Sequence, residues 1–528
     1  MPNIFHFDGA LPSNPQPSSK LSLFGKLANR ILSGRDIIPA GRKSGRRGTG
    51  YAGMIGSGIH RQDLKGINPV HPVPRRGMSG LWFLLLILFL PALRATADES
   101  QSAGKQDAQT AKRLQDIPIG PFHLDLGANI RLRAEYQSGF DVRGYEPDTR
   151  DSFLLTRVML DLNLRFHPDR RLFVQFRDAH APGTRLERKD FSRSNPFEDL
   201  WDIRQLYFEW NKIGGSPLGV RLGRQQISYG DQRIFGPGLW GNTGRYAWDA
   251  AMLRIDTPRV GMDAWIGRPI KNRPEVWPNR PFDAPTAAVV YGSVKRLPFR
   301  LDIFYAGKFD GKSRIEGESG KGNLRSHSLG FQLQKPAGEG LDFTAAFIGQ
   351  TGRYGSDGLR AYGSNAAVGW TFPLKWRPRF AGQFTWGSGD RDPSDGTHGT
   401  FDGVFGGADI NFYGDLNLFF WANIRDYEWD LHLQPSRTTK LMLEHHYFTL
   451  DQARDAWYTT GLAALRRDVS GNSGTALGHE INVRFSWQLA KGLEIFSGWG
   501  RFIPGDFVKA TGAANAASGY FLQTTYGF

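Results

Sequence analysis

From Arg157 to Arg177 the chain alternates with a period of two. Val158, Leu160, Leu162, Leu164 and Phe166 fall between Arg157, Met159, Asp161, Asn163 and Arg165. After His167-Pro168-Asp169-Arg170 the alternation resumes, with Leu172, Val174 and Phe176 set against Arg171, Phe173, Gln175 and Arg177. Side chains two apart share a face of a strand, so this stretch predicts an antiparallel hairpin with one apolar and one charged face. The pattern returns at Ile130, Leu132, Ala134 and Tyr136 against Arg131, Arg133 and Glu135. It returns again at Ile481, Val483, Phe485, Trp487 and Leu489 against Glu480, Asn482, Arg484, Ser486 and Gln488. A last strand, Tyr520 to Phe528, carries apolar or aromatic groups at 520, 522, 526 and 528, as a strand closing a transmembrane barrel does.

A soluble antiparallel sheet turns its charged face to water and buries the apolar one. A transmembrane barrel inverts this, with apolar groups toward lipid and polar groups toward the lumen. The 65 glycines suit many tight turns, and 15 Trp, 16 Tyr and 37 Phe suit aromatic girdles at two interfaces. A mean hydropathy of −0.41 argues against a helical membrane protein and leaves a barrel open. The expected fold is therefore an all-β, antiparallel up-and-down transmembrane β-barrel over 121–528. At roughly 24 residues per strand and connection it has about 18 strands (16–18). Longer irregular intervals, at 178–200, 231–247, 268–287, 308–326, 388–402, 451–478 and 503–518, are expected to be outer loops. Turns such as 167–170 and 490–492 are expected on the periplasmic side, and no second folded domain is expected.

Residues 1–97 stand apart. Leu81 to Leu90 is the one long apolar run, preceded by Arg75 and Arg76 and followed by Ala95-Thr96-Ala97, the order of a secretory signal. Cleavage is expected before Asp98, in preference to an uncleaved anchor, with Met54 or Met78 as candidate starts and 98–120 as a flexible periplasmic lead-in. This partition changes the electrostatics. The whole chain is +15, but residues 1–97 hold 13 basic and 3 acidic groups, which leaves +5 for the remainder. A nucleic-acid partner is discounted on that ground. The absence of cysteine removes disulfides, thiol nucleophiles and thiolate metal sites.

The most distinctive stretch runs from Leu222 through Gly223, Arg224, Gln225, Tyr229, Gly230, Asp231 and Arg233 to Trp240, Asn242, Arg245 and Trp248-Asp249-Ala250. It resembles the alginate-export family of outer-membrane porins. Their strand and loop read Gly-Arg-Gln, then Tyr-Gly-Asp with a following Arg, then Trp, Asn, Arg and an aromatic-Asp-Ala, with Trp248 here where Phe is more usual. The resemblance extends to Gly478-His479-Glu480 and to Arg501-Phe502-Ile503-Pro504-Gly505. It implies a monomeric 18-stranded barrel in the Gram-negative outer membrane, narrowed by loops and lined by arginines, that passes the polyuronate alginate outward.

The alternation itself puts Arg131, Arg133, Arg157, Arg165, Arg177, Arg254 and Arg484 on lumen faces, with Glu135, Asp161 and Glu480 among them. Guanidinium groups stay charged and grip carboxylates bidentately, and interspersed acids keep binding weak enough for passage. The competing role for any one of them is an ion-pair ladder that braces the wall. In the motif, Asp231, Arg233, Arg245 and Asp249 are candidates for bracing a constriction. A pore for small anionic or sugar-acid solutes is the alternative cargo reading, and a silent structural barrel a third.

An enzyme is not expected. Glu444-His445-His446 is the only His pair, its members point to opposite faces, and no nucleophile elbow, phosphate loop or zinc motif is present. No cofactor is implied, and calcium at Asp390, Asp392 and Asp395 is considered and left out, because flexible acidic loops usually hold no metal. Expected partners are outer-membrane lipid, an anionic polysaccharide or sugar acid, the barrel-assembly machinery through Phe528, and periplasmic export proteins.

Overall fold

The computed structural model describes residues 114–140, 150–188, 194–238, 240–406, 412–459 and 462–528. The expected signal segment, its cleavage point and the candidate starts lie outside the described residues.

Eighteen antiparallel strands close a barrel. In chain order they are β1 Phe122–Ser138, β2 Asp151–His167, β3 Arg170–His180, β4 Asp199–Trp210, β5 Leu218–Gln225, β6 Trp248–Asp256, β7 Val260–Lys271, β8 Thr286–Val294 and β9 Arg300–Gly317. They continue as β10 Gly320–Lys335, β11 Gly340–Gly355, β12 Asp357–Thr371, β13 Arg379–Gly387, β14 Ile424–Leu433, β15 Thr439–Thr449, β16 Ala476–Ala490, β17 Leu493–Pro504 and β18 Ala517–Gly527. Each pairs with the next, and β1 pairs with β18 from Asn129↔Gly527 to Ser138↔Ser518, which leaves no open edge in lipid. The lead-in expected over 98–120 is not free chain throughout, since Ile117–Ile119 folds back antiparallel onto β1.

Connections alternate in length. One rim carries turns such as 168–169, 257–259 and 491–492, and the other carries 181–198, 226–247, 272–285, 388–423, 450–475 and 505–516. Short turns mark the periplasmic rim. The interval 308–326, expected to be a loop, is instead β9 and β10 running on to a two-residue turn at Glu318-Ser319. Its sequence reads as loop because this hairpin stands beyond the membrane, where neither face has to be apolar. The loop expected at 388–402 extends to 423, and a one-turn helix, α1 Asp506–Thr511, lies in the last outer loop.

The outer face is apolar. Leu222, Leu253, Ile266, Val290, Ile303, Leu329 and Val368 are exposed as lipid-facing groups. Tyr136, Tyr520 and Trp499 stand side by side across β1, β18 and β17, and Trp370, Phe372, Trp376 and Phe380 cluster at the β12–β13 turn, one group toward each interface. Inside, the lumen is not polar throughout. Phe235 from loop 226–247 and Phe401, Phe405, Leu418, Phe419 and Trp421 from loop 388–423 pack on inward Trp248, Trp265, Tyr291, Phe304, Phe448 and Phe502. A barrel of this circumference cannot fill its bore from wall side chains alone, and burying loop side chains at about 1.5–3 kcal/mol each supplies the reason for the loops to fold inward.

Candidate functional site

Loop 226–247 is clasped by arginines of β1–β4. Arg131 donates to the carbonyls of Trp240 and Gly241, both at 3.3 Å, and to Asn242 Oδ1 at 3.1 Å. Arg133 donates to the Trp240 carbonyl at 2.8 Å, lies 3.9 Å over the Trp240 ring, and pairs through Nε with Glu135 at 2.6 Å. On β3, Arg177 holds the Thr243 carbonyl, Asp199 and, at 3.1 Å, Asn272 Oδ1, while Arg204 of β4 reaches the Tyr246 carbonyl at 3.0 Å. Arg157 donates to Asn129 Oδ1 at 3.3 Å. Strand pairing brings these groups together, since Arg131 stands opposite Arg157. Each buried cation therefore sits among carbonyls and carboxylates, as its desolvation requires.

Asn242 completes the clasp. Its Nδ2 donates toward the carbonyls of Thr156, His180 and Phe197 at 2.8–3.0 Å, on the wall and on the neighbouring loop 181–198. The other motif residues brace the root of the loop. Arg224 binds Asp249 at 2.9 Å and the Asn279 carbonyl at 2.7 Å, so Asp249 partners Arg224. Buried Gln225 donates to the Gly223 and Ala250 carbonyls. Tyr229 stacks on Tyr291 at 4.0 Å and donates to Asp263 at 2.9 Å. At Gly223 (φ +122°) a Cβ would stand 2.3 Å from the Leu206 carbonyl, so that position requires glycine, while at Gly230 the left-handed φ of +59° favours it. Asp231 accepts the Arg233 amide, and Arg233 crosses to Gln383 Oε1 at 2.8 Å over the Phe412 ring.

Toward the periplasm the remaining candidates form an ion-pair ladder. Glu209 accepts Arg171 at 2.6 Å, Arg221, and Arg254 at 3.0 Å, and Arg254 also binds Asp263 at 3.1 Å. Arg165 spans Asp116 and Asp125 at 2.7 and 2.8 Å. Asp161 accepts Gln175 Nε2 at 2.8 Å.

Separated from the arginines by β17 and β18 stands a wall of carboxylates on β14–β16: Asp426, Glu428, Glu444 and Glu480, with His446 and Asn482 among them, all with buried side chains. It receives residues 412–423. Arg484 holds Asp415 and Glu444 at 2.5 and 2.8 Å, and Glu480 Oε1 accepts the Leu416 amide at 3.1 Å. Of this wall the sequence offers Glu480 and Arg484 as lumen candidates, and Glu444 and His446 only within a His pair whose members point to opposite faces. The alternation of Asp426, Glu428 and Asp430 with Tyr427 and Trp429 carried the signal for the rest.

Inside the barrel lies a cavity of about 1790 Å³ lined from β1, β7, β9–β12, β17, β18 and the loops. Arg245, Lys271, Arg273, Arg280, Lys308 and Arg314 face it, with Glu275, Asp283, Asp310 and Asp402 interspersed and Trp240, Tyr246 and Trp277 as flat apolar surfaces. Above it, at the β9–β10 turn, Glu318 Oε2 accepts the Gly396 amide at 2.9 Å. Burial, and a hydrogen bond shared with Asp390, push the Glu318 carboxyl up to about 7. Asp390, Asp392 and Asp395 do not converge on a common centre. They accept the Gly399 amide, the Ser394 hydroxyl and the Thr397 amide respectively.

Residues 122–520 match the alginate-export family. No curated protein matches the chain. Among solved structures the barrel is similar to OccAB2 of Acinetobacter baumannii (TM-score 0.50, 10% identity, 76% of this chain and 98% of that one). It is also similar to OccK2 (OpdF) of Pseudomonas aeruginosa (0.50, 10%, 77% and 97%). Both likenesses concern the fold alone. With the family matched over most of its length and a closed 18-stranded barrel, the chain belongs to the alginate-export family of outer-membrane pores.

Proposed function

We propose that this pore passes an anionic polysaccharide, alginate or a similar polyuronate, from periplasm to exterior. The observation that carries the reading is the chemistry of the cavity between the loops. Arg245 and Arg280 face it without an ion pair to any described residue, beside the faces of Tyr246, Trp240 and Trp277. A uronate offers a carboxylate to a guanidinium fork and C–H faces to an aromatic ring, so both halves of the sugar find partners. Asp283, Glu275 and Asp310 keep each contact weak, which transit through a pore requires. The arginines of β1–β4 act one step removed, by fixing the loop that shapes the path. The chain works as a monomer, with Phe528 offered to the assembly machinery and the periplasmic mouth to export proteins.

Single-channel recording of the folded barrel in planar bilayers tests this. Anion selectivity is expected, with mannuronate or guluronate oligomers blocking at far lower concentration than neutral ones, and Arg245→Glu with Arg280→Glu is expected to erase the difference. An open pore indifferent to uronates would reduce the protein to a general porin for small solutes.

A further inference from the structure

The buried group Asp426, Glu428 and His446 has no part in lining the cavity, and its geometry is that of a metal centre. We propose that these three side chains bind a single zinc ion within the barrel wall, joining β14 to β15 beneath loop 388–423.

Asp426 and Glu428 are two apart on β14 and share its inward face, and the register sets His446 of β15 directly opposite Glu428. His446 Nδ1 lies 3.1 Å from both Asp426 carboxylate oxygens and 3.9 Å from Glu428 Oε2. One donor atom from each residue falls within 4.8 Å of the others, the one such trio among the described residues. Ligands bound at about 2.0–2.2 Å around a tetrahedral ion stand roughly 3.3–3.6 Å apart, so both His446 distances are within a few tenths of an ångström of coordination spacing, and the two carboxylates close on the ion from within 4.8 Å of each other. One imidazole nitrogen with two carboxylates suits a borderline ion such as zinc better than calcium or magnesium.

The surroundings are those of a prepared site. The other ring nitrogen of His446, Nε2, lies 3.4 Å from Glu444 Oε2, and Glu444 is gripped by Arg484 at 2.8 Å and Asn482 at 3.2 Å. Nε2 makes no hydrogen bond at this distance, and a small approach of Glu444 would orient the ring with Nδ1 toward the ion, as a carboxylate behind a histidine does. Glu428 is held by Gln383, whose Oε1 accepts Arg233 Nη2 at 2.8 Å.

Charge supplies an independent argument. Among the described residues, the one arginine ion-paired to any of Asp415, Asp426, Glu428, Glu444 and Glu480 is Arg484, with Arg233 standing near Asp426 and Glu428. Fully buried Glu480, directly across from His446, keeps one oxygen, Oε2, with no hydrogen-bond partner, and so does Asp415 Oδ2. Unbalanced buried anions are costly, and a divalent cation offsets more of the excess than a protonated His446 does.

The test uses folded protein extracted in detergent and stripped with a chelator. Titration with zinc chloride, followed by gel filtration and elemental analysis, is expected to leave one zinc per chain. Asp426→Asn and His446→Gln are expected to lose it, and Glu444→Gln to weaken binding about 10–100-fold, with heat-modifiable migration confirming that each variant is folded. X-ray absorption of the wild-type zinc form is expected to show one imidazole nitrogen among carboxylate oxygens, a reading that stands even if a variant does not fold. Substoichiometric zinc in the wild type, full retention by folded His446→Gln, or a shell of oxygens alone overturns the proposal.

Discussion

Two walls of the barrel do the same mechanical task with opposite charge. On β1–β4 arginines clasp loop 226–247, and on β14–β16 carboxylates receive residues 412–423. The arginine wall is well matched to its load, because each guanidinium presents five donors in a fixed fork and a loop turned inward presents many carbonyls. Arg131, Arg133, Arg177 and Arg204 together take the carbonyls of Trp240, Gly241, Thr243 and Tyr246. The carboxylate wall is mismatched: it takes the Leu416 amide and the Arg484 fork, and acceptor oxygens are left over. Both walls leave atoms over, donors such as Arg177 Nε and Arg204 Nη1 on one and acceptors such as Glu480 Oε2 on the other, but only the first makes most of its hydrogen bonds to the loop it holds.

That contrast sets the order of effects. Arg177→Ala is expected to do most damage, because it strips the Thr243 carbonyl and leaves Asp199 buried with Asn279 as its remaining hydrogen-bond donor at 2.7 Å. Removing one partner of a buried ion pair costs about 3–5 kcal/mol. Reduced resistance to urea and a higher, noisier single-channel conductance are the expected readings, as loop 226–247 leaves the wall. Unchanged conductance would mean that Asn242 and the β1 arginines hold the loop by themselves.

Glu480→Gln, on the other wall, should be nearly silent. The amide oxygen still accepts the Leu416 N–H, the new NH₂ replaces an oxygen that had no partner, and a buried charge disappears. Stability is expected to hold or rise by about 1 kcal/mol in urea titration, with conductance unchanged. A loss as large as that of Arg177→Ala would erase the difference between the walls.

The strands were legible because lipid on one side enforces a period of two wherever a strand crosses the membrane. Arg131, Arg133 and Arg157 could be assigned inward by that rule alone. Whether an inward side chain meets open water or a folded loop is not in the alternation. Arg131 finds its partner in Trp240, 109 residues away. Loop 412–423, with its run Leu416-Asn417-Leu418-Phe419-Phe420-Trp421, has no strand period, and its apolar residues are buried against the inside of the wall. His446 was set aside because its chain neighbour His445 points to the other face. Glu444 lies two residues before it on the same strand, but Glu428 is directly cross-strand and Asp426 one pair removed, relations that only the register reveals.

The smallest expected effect belongs to a carboxylate outside the membrane. Glu318 at the β9–β10 turn has its carboxyl raised to about 7 by burial and by the shared hydrogen bond with Asp390, against about 4.3 in an unfolded chain. The docked turn therefore holds a proton that the released turn gives up across that window, and linkage favours docking at the lower pH. Docking of the turn is expected to be firmest below about pH 4.3 and to weaken as pH rises toward about 7, driven by burial and by Asp390 against the Gly396 bond, which itself favours the charged carboxylate. Amide-exchange protection at Gly396, corrected for intrinsic rates, should then fall by less than tenfold between pH 6 and 8, since water screens a site this open. In Glu318→Gln the profile should be flat, because the neutral side chain still accepts the amide. A wild-type profile equally flat would show that Asp390 and Glu318 do not share a proton, and the pH response of the outer rim would have to be sought elsewhere.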